Sequence, residues 1–299
     1  MDLFLKKNIN YLLKKYQTRP SKGFGQNFLI DKGVIRKIIS TAQLMPEDTV
    51  LEIGPGLGSL TQELAKRVKT VISVEKDGRM VDILKETLRD CKNVKIIQGD
   101  ILKIFNFLPL KAGLNYKVVA NLPFYITAPV IRLFLELTEA RPRSMVLMAQ
   151  KEVAQRICAQ PPDMNLLAVS VQFYVHPHTK QGYGVGAGPK IVSYVSKKSF
   201  WPQPKVDAAI LRIAPLINTD KKRVNTDLFF KIVKAGFSHP RKQIGNNLSK
   251  ELALNQLDGL KLEKEKISSW LRKNNIQPTQ RAETLSINDW IGLTKSYSQ

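Results

Sequence analysis

Between Asp48 and Gln150, short β-branched runs alternate with amphipathic stretches, and this alternation restricts the possible folds more than any other feature of the chain. Val50-Leu51-Glu52-Ile53 has the makeup of a strand and runs into a glycine-rich turn, after which a helix is predicted over residues 59–67. Residues 70–74 predict a second strand, closed by Glu75-Lys76-Asp77. A helix over residues 79–89 follows, with Met80, Ile83, Leu84 and Leu88 on one face. A third strand over residues 94–97 ends at Gly99-Asp100, and a fourth over 117–120 ends at Asn121-Leu122-Pro123-Phe124. Pro129 falls in the first turn of the next helix, where its missing N–H is harmless, and the helix runs on through Ile131, Leu133, Phe134 and Leu137. Residues 144–148 predict a fifth strand. Strands joined by helices must run parallel, so the expectation is an α/β fold with a parallel sheet covered on both faces.

The pattern changes further on. Residues 191–195 and 206–211 read as two more strands, joined through Phe200-Trp201-Pro202-Gln203-Pro204. That link has no helix, so the pair is expected to be antiparallel. Residues 181–189 carry four glycines without periodicity and read as an exposed loop. Beyond Pro215 only helical patterns remain, over 229–236, 242–254, 263–273 and 287–295. The domain boundary is therefore expected at 215–219, giving an α/β domain over 1–217 and a small all-helical domain over 218–299. Near the N-terminus, Leu5, Ile9, Leu12, Leu13 and Tyr16 recur at helical spacing among Lys6, Lys7, Lys14 and Lys15. An amphipathic helix is expected there, not a targeting peptide, since Asp2 is acidic and neither Arg nor Ser precedes Gln17. The apolar residues 166–175 are too few to span a bilayer. Cys91 and Cys158 are far apart, which excludes a disulfide scaffold and a cysteine zinc site and suits a reducing cytoplasm. A net charge of +22 over 299 residues points to a polyanionic partner.

In an open α/β sheet, ligands bind outside the carboxyl ends of the strands. Four such ends here carry Gly54, Glu75, Asp100 and Asn121. Gly54-Pro55-Gly56-Leu57-Gly58 lets the backbone turn tightly and approach a ligand closely. Ser59 stands where a dinucleotide fingerprint has its third glycine, so a ligand with an adenosine and no phosphates is accommodated equally well. Glu75 follows Gly54 at the spacing of a ribose-binding acid and can accept from both ribose hydroxyls. Asp100 can accept from an adenine amine. An acidic rim favours S-adenosylmethionine, with its sulfonium and ammonium groups, over NAD. Either acid alone reads as a solvated loop carboxylate; the register of both with the glycine turn at three successive strand ends makes them a site.

Asn121-Leu122-Pro123-Phe124 has the makings of the chemical centre. The exocyclic amine of adenine is a poor nucleophile because its lone pair is delocalised into the ring. Two acceptors, the Asn121 side chain and the Leu122 carbonyl, can each take an amine hydrogen and aim the lone pair at a methyl group. Pro123 lacks an N–H and restricts the residue before it. Phe124 offers a face for an extruded base. The role is orientation and electrostatics, with no metal required.

These residues, with Gly25-Gln26-Asn27-Phe28-Leu29, resemble the ribosomal RNA adenine N6,N6-dimethyltransferase family, and most closely its bacterial small-subunit branch. The likeness extends through Gln150-Lys151-Glu152-Val153-Ala154, Phe200-Trp201-Pro202-Gln203-Pro204-Lys205-Val206-Asp207 and Ala235-Gly236-Phe237. It continues in Arg241-Lys242, Asn246-Asn247-Leu248 and Arg281-Ala282-Glu283-Thr284-Leu285-Ser286. The resemblance implies a Rossmann-like S-adenosylmethionine-dependent methyltransferase domain, mostly parallel with an antiparallel hairpin, followed by a helical rRNA-binding domain. It implies dimethylation of two adjacent adenosines in a hairpin loop near the 3′ end of 16S rRNA, within small-subunit biogenesis, by a cytoplasmic monomer. It carries cofactor contacts to Asn27, Leu29, Gly54, Glu75, Asp100 and Asn121, and the catalytic tetrapeptide to Asn121, Leu122, Pro123 and Phe124. Three departures stand out. Phe124 replaces the usual Tyr, Asp163-Met164-Asn165 replaces a Tyr-Gly-Arg segment, and residues 181–189 look inserted.

RNA phosphates are expected to meet Lys6, Lys7, Lys14, Lys15, Arg19 and Lys22, and, in the helical domain, Lys221, Lys222, Arg223, Lys231, Lys234, Arg241 and Lys242. Trp201 and Trp270 are expected as packing anchors. His176-Pro177-His178 reads as a surface turn, because two histidines without a nearby cysteine make a poor ligand set. The alternatives are a large-subunit rRNA methyltransferase of the macrolide-resistance type, a non-catalytic ribosome-assembly or transcription factor on the same fold and, weakest, a nicotinamide oxidoreductase. The long helical C-terminus disfavours the first, the intact Asn121-Leu122-Pro123-Phe124 the second, and the acidic rim the third.

Overall fold

A computed structural model describes residues 1–110, 115–136, 141–175, 188–215, 224–254 and 264–297. His176-Pro177-His178, most of the 181–189 loop, Leu137, Lys221, Lys222, Arg223 and the boundary stretch 216–219 lie outside the described residues. No described helix is long and apolar enough to cross a membrane.

The chain divides into two compact units, Met1–Ala154 with Gly188–Ile217, and Gln155–Ala187 with Asn218–Gln299. The first unit is built on strands β2 (Thr49–Ile53), β3 (Thr70–Glu75), β4 (Val94–Gln98), β5 (Tyr116–Asn121), β6 (Ser144–Gln150), β7 (Lys190–Val195) and β9 (Ala208–Ile213). They form a seven-stranded sheet in the order β4-β3-β2-β5-β6-β9-β7. The first five strands in that order are parallel, while β9 runs antiparallel to both β6 and β7. The final strand begins at Ala208, two residues later than its β-branched run suggests, and Val206 is 45% exposed in the preceding turn.

From β2 the chain steps outward to β3 and β4, then returns to place β5 on the other side of β2. The crevice between β2 and β5 is thus the topological switch point, where such sheets bind ligands. Helices α2 (Lys32–Ala42) and α3 (Ser59–Ala65) pack Ile35, Ile38, Leu60 and Leu64 over Val50, Val71, Val119 and Val146. Leu51, Val118 and Leu147, pointing the other way, are fully buried as well, so both faces of the sheet are covered.

Helix α1 (Lys6–Lys15) buries Ile9, Leu12 and Leu13 against Met80 and Ile83 of α4 (Gly78–Thr87). It is tied down further where Lys15 Nζ and the Tyr16 hydroxyl meet Glu86 Oε2 at 2.7 and 2.6 Å. A feature not read from the sequence lies between α1 and α2. Strand β1 (Phe28–Leu29) pairs antiparallel with β8 (Phe200–Trp201), so the segment ahead of α2 is stitched to the Phe200-Trp201-Pro202 link. Phe28 stacks on Trp201 with centroids 6.5 Å apart, which gives Trp201 its packing role.

The second unit includes α8 (Leu166–Val175), α9 (Thr226–Gly236), α10 (Ile244–Leu254), α11 (Lys264–Lys273) and α12 (Ile287–Tyr297). Here the units differ from a division at residue 217, because α8 joins the C-terminal helices. Val169 and Phe173 share a core with Phe229, Ile232, Ile267 and Trp290, and Phe173 stacks on Phe229 at 4.1 Å. A helix apolar on almost every side has to be buried among other helices, and the sequence pattern alone does not say which. Asp163-Met164-Asn165 serves this packing: Asn165 Oδ1 accepts from Ala168 N–H at 3.1 Å, and Met164 N–H donates to the Glu283 carbonyl at 3.0 Å. Trp270 donates from Nε1 to Ser296 Oγ at 2.9 Å.

Candidate active site

Asn27, Leu29, Gly54, Glu75, Asp100, Asn121, Leu122, Pro123 and Phe124 all line one cavity at the carboxyl edge of the sheet, in the first unit. Gly54, ending β2, and Asn121, ending β5, flank the switch point.

The glycine turn is forced into shape by backbone conformation. Gly54 and Gly56 have φ of +67° and +58°, a region costly for any residue with a Cβ. A Cβ on Gly54 would sit 3.2 Å from Pro123 Cδ, and one on Gly56 would lie 3.3 Å from the Phe28 ring. Side chains at either position would therefore fill the cradle between the turn and its neighbours.

Glu75 is 7% exposed. Its Oε2 accepts from Gly56 N–H at 3.2 Å and its Oε1 from Asp77 N–H at 2.9 Å. Burial pushes its carboxyl above the usual range, against those donors. The carboxylate is thus locked in orientation before any ligand arrives, with lone pairs to spare for hydroxyl donors. Asp100 caps α5 (Ile101–Ile104), Oδ1 accepting from Leu102 N–H at 3.1 Å, and its Oδ2 lies 2.9 Å from Lys76 Nζ. The Lys76 hydrogen bond is the largest influence on the Asp100 carboxyl and holds it below the usual range.

The other bank of the cavity is looser. Asn121 is half-buried, and its Nδ2 reaches the Asn27 carbonyl at 3.4 Å, the long end of hydrogen-bond range. That contact uses the donor end of the amide and leaves Oδ1 to accept. The Leu122 side chain is 2% exposed and anchors the turn, while Phe124 opens a 3-10 turn and is only partly buried against the core. Asn27 belongs to the segment over the cavity: Nδ2 donates to the Gly25 carbonyl at 3.2 Å, and neighbouring Gln26 donates to Asp77 Oδ2 at 2.9 Å. Leu29 is buried in β1, its carbonyl 3.5 Å from Ser59 Oγ.

Among the lining residues that escape sequence reasoning as site residues are Glu52, Lys76, Tyr125 and Phe200. Glu52 is 1% exposed, accepts from Ser73 Oγ at 2.8 Å, and has its carboxyl raised from 4.5 to about 7, chiefly by burial. An acid inside an otherwise apolar strand was the available signal. Phe200 reaches the cavity only through the β1–β8 pairing, which no local pattern announces. Tyr125 is 53% exposed at the rim. Among the described residues, no group of three or more His, Cys, Asp or Glu side chains is arranged to hold a metal ion.

The expected basic residues that are described are exposed in their own units: Lys6, Lys7, Lys14, Lys15, Arg19 and Lys22 in the first, Lys231, Lys234, Arg241 and Lys242 in the second. Lys15 is already paired with Glu86.

Residues 18–293 match the family model for ribosomal RNA adenine dimethylase. The chain is 42% identical over 288 residues to the ribosomal RNA small subunit methyltransferase A of Dehalococcoides mccartyi, covering 96% of this chain and 92% of that one. A dimethyladenosine transferase from Plasmodium falciparum has a similar structure, with a TM-score of 0.71 and 25% identity over 90% of this chain and 96% of that one. The 23S rRNA methyltransferase ErmE shares the fold, with a TM-score of 0.68 and 24% identity over 91% of this chain and all of that one. Sheet order, cavity and sequence thus converge, and the chain belongs to the ribosomal RNA adenine dimethylase family.

Proposed function

We propose that this chain transfers methyl groups from S-adenosylmethionine to the exocyclic amines of two adjacent adenosines in a hairpin loop near the 3′ end of 16S rRNA. It does so in the bacterial cytoplasm, as a monomer acting on the small ribosomal subunit during its biogenesis. The observation that carries this reading is the meeting of Glu75, Asp100 and the Asn121–Phe124 turn around one cavity at the sheet's switch point.

The residues present suit the cofactor. A Cβ at Gly54 or Gly56 would intrude on the cradle, and the lining carries the carboxylates of Glu52, Glu75 and Asp100, a set that favours a cation. Glu75 would accept from the ribose hydroxyls, Asp100 from the adenine amine, and Gly54, Asn27 and Leu29 would enclose the remainder. When bound, the cofactor supplies a methyl group made electrophilic by its sulfonium. In the first transfer Asn121 Oδ1 and the Leu122 carbonyl would each accept one hydrogen of the target amine, and in the second one of them would accept the hydrogen that remains. This draws the nitrogen toward tetrahedral geometry and points its lone pair at the methyl. Phe124 stacks on the extruded base, and Pro123, in contact distance of the Gly54 cradle, keeps the two banks in register. The proton left on the methylated nitrogen is acidic and passes to solvent without a dedicated base. The second unit would carry rRNA-binding surface through Lys231, Lys234, Arg241 and Lys242, joined by the exposed basic residues of the N-terminal segment.

The test is incubation with methyl-labelled S-adenosylmethionine and small subunits that lack the modification, followed by mass mapping of the nucleotides. Two adjacent N6,N6-dimethyladenosines near the 3′ end are expected. Label appearing in large subunits instead, or RNA binding with no product, would overturn the proposal.

A further inference from the structure

We propose that Lys76 sets how strongly the cavity distinguishes the cationic methyl donor from its neutral demethylated product. This rests on the reading of the cavity as an S-adenosylmethionine site. Among the described residues lining that cavity, Lys76 alone carries a cationic side chain, and the same lining holds the carboxyl groups of Glu52, Glu75 and Asp100. It follows Glu75 directly at the end of β3, yet the two side chains have opposite fates. Glu75 is buried and held by backbone donors, whereas the Lys76 side chain is 49% exposed at the rim and reaches across to Asp100 Oδ2 at 2.9 Å. The other Asp100 oxygen is committed to the cap of α5. Lys76 therefore cancels at close range the field of Asp100, whose second oxygen it holds.

That cancellation has a consequence for the ligand. The donor carries a sulfonium, an ammonium and a carboxylate, for a net charge of one positive unit. After transfer the sulfonium is a neutral thioether, and the product has no net charge. Both share the same adenosine, so contacts with Glu75 and Asp100 are common to the two. What separates them is the cavity's potential, and Lys76 makes that potential less negative. The residue thus weakens the preference for the donor and keeps the spent product competitive. A charge at the rim of a partly solvated cavity is expected to change a cation's affinity about three- to tenfold.

The experiment is calorimetric titration of the full chain with S-adenosylmethionine and with S-adenosylhomocysteine, comparing wild type, Lys76→Met and Lys76→Arg. The product-to-donor ratio of Kd values should rise about three- to tenfold in Lys76→Met and stay within about twofold of wild type in Lys76→Arg. The rise should shrink at high salt. Any effect of the methionine on Asp100 or on folding weakens both ligands alike and cancels in the ratio. A ratio unchanged in Lys76→Met overturns the inference even if both affinities fall. Wild-type protein that binds neither molecule removes the cofactor reading itself, a distinct failure.

Discussion

The two banks of the cavity are built on different principles. On the side of β2, β3 and β4, Glu75 and Asp100 have both carboxylate oxygens engaged, and the glycine turn occupies conformations that only glycine adopts without strain. On the side of β5, Asn121 is restrained by one 3.4 Å contact, Phe124 is partly buried and Tyr125 is half-exposed. The first bank is complete before a ligand arrives. In the proposed reading, the second presents acceptors and an aromatic face whose partners come with the substrate. Preorganisation suits a small molecule bound identically in every turnover, whereas a base drawn out of a large RNA needs a bank that admits it from solvent.

Substitutions on the two banks should separate binding from transfer. Asn121→Ala should lower the single-turnover transfer rate about 100- to 1,000-fold, while donor affinity falls far less. Glu75→Ala should do the reverse, weakening donor binding about 10- to 100-fold in calorimetry, with transfer at saturating donor little changed. Equal losses in both measurements for either variant would erase the contrast. Beneath Glu75, Glu52 shows the electrostatic strain of the preformed bank. Its carboxyl rises to about 7 in the fold, so its stabilising contribution is full below about pH 4.5 and lost as pH climbs through 7. Glu52→Gln should therefore raise stability by up to about 3 kcal/mol at pH 8 and by almost nothing at pH 4, read from denaturant titrations. Phe124→Ala should reduce kcat/KM for RNA about tenfold, and Phe124→Tyr should stay near wild type, since the face survives. The smallest effect is expected from Gly54→Ala, about 1 kcal/mol of strain at φ +67°, yet it should disturb both banks because its Cβ would press on Pro123.

In both banks the strand ends were the part legible in sequence. Gly54, Glu75 and Asp100 sit at strand ends, and period-two runs followed by helical ones locate such ends reliably. Asn121-Leu122-Pro123-Phe124 was legible for the same reason, and the family resemblance placed Asn27 and Leu29. What local pattern could not supply was long-range pairing. Phe200 enters the cavity because β8 pairs with β1 across 171 positions of chain, a contact set by tertiary packing. Helix α8 has apolar residues all round, so its membership in the C-terminal unit is decided by Phe229 and Trp290 and by no stripe of its own. Lys76 reads in sequence as one more solvated lysine of a basic chain; only the 2.9 Å approach to Asp100 distinguishes it.

The most direct test of the divided cavity is an experimental structure with S-adenosylhomocysteine and adenosine bound together. The account predicts the product's ribose on Glu75, its adenine amine at Asp100, and the target amine about 3 Å from both Asn121 Oδ1 and the Leu122 carbonyl. A target amine that touches neither oxygen, with its ring away from Phe124, would contradict it.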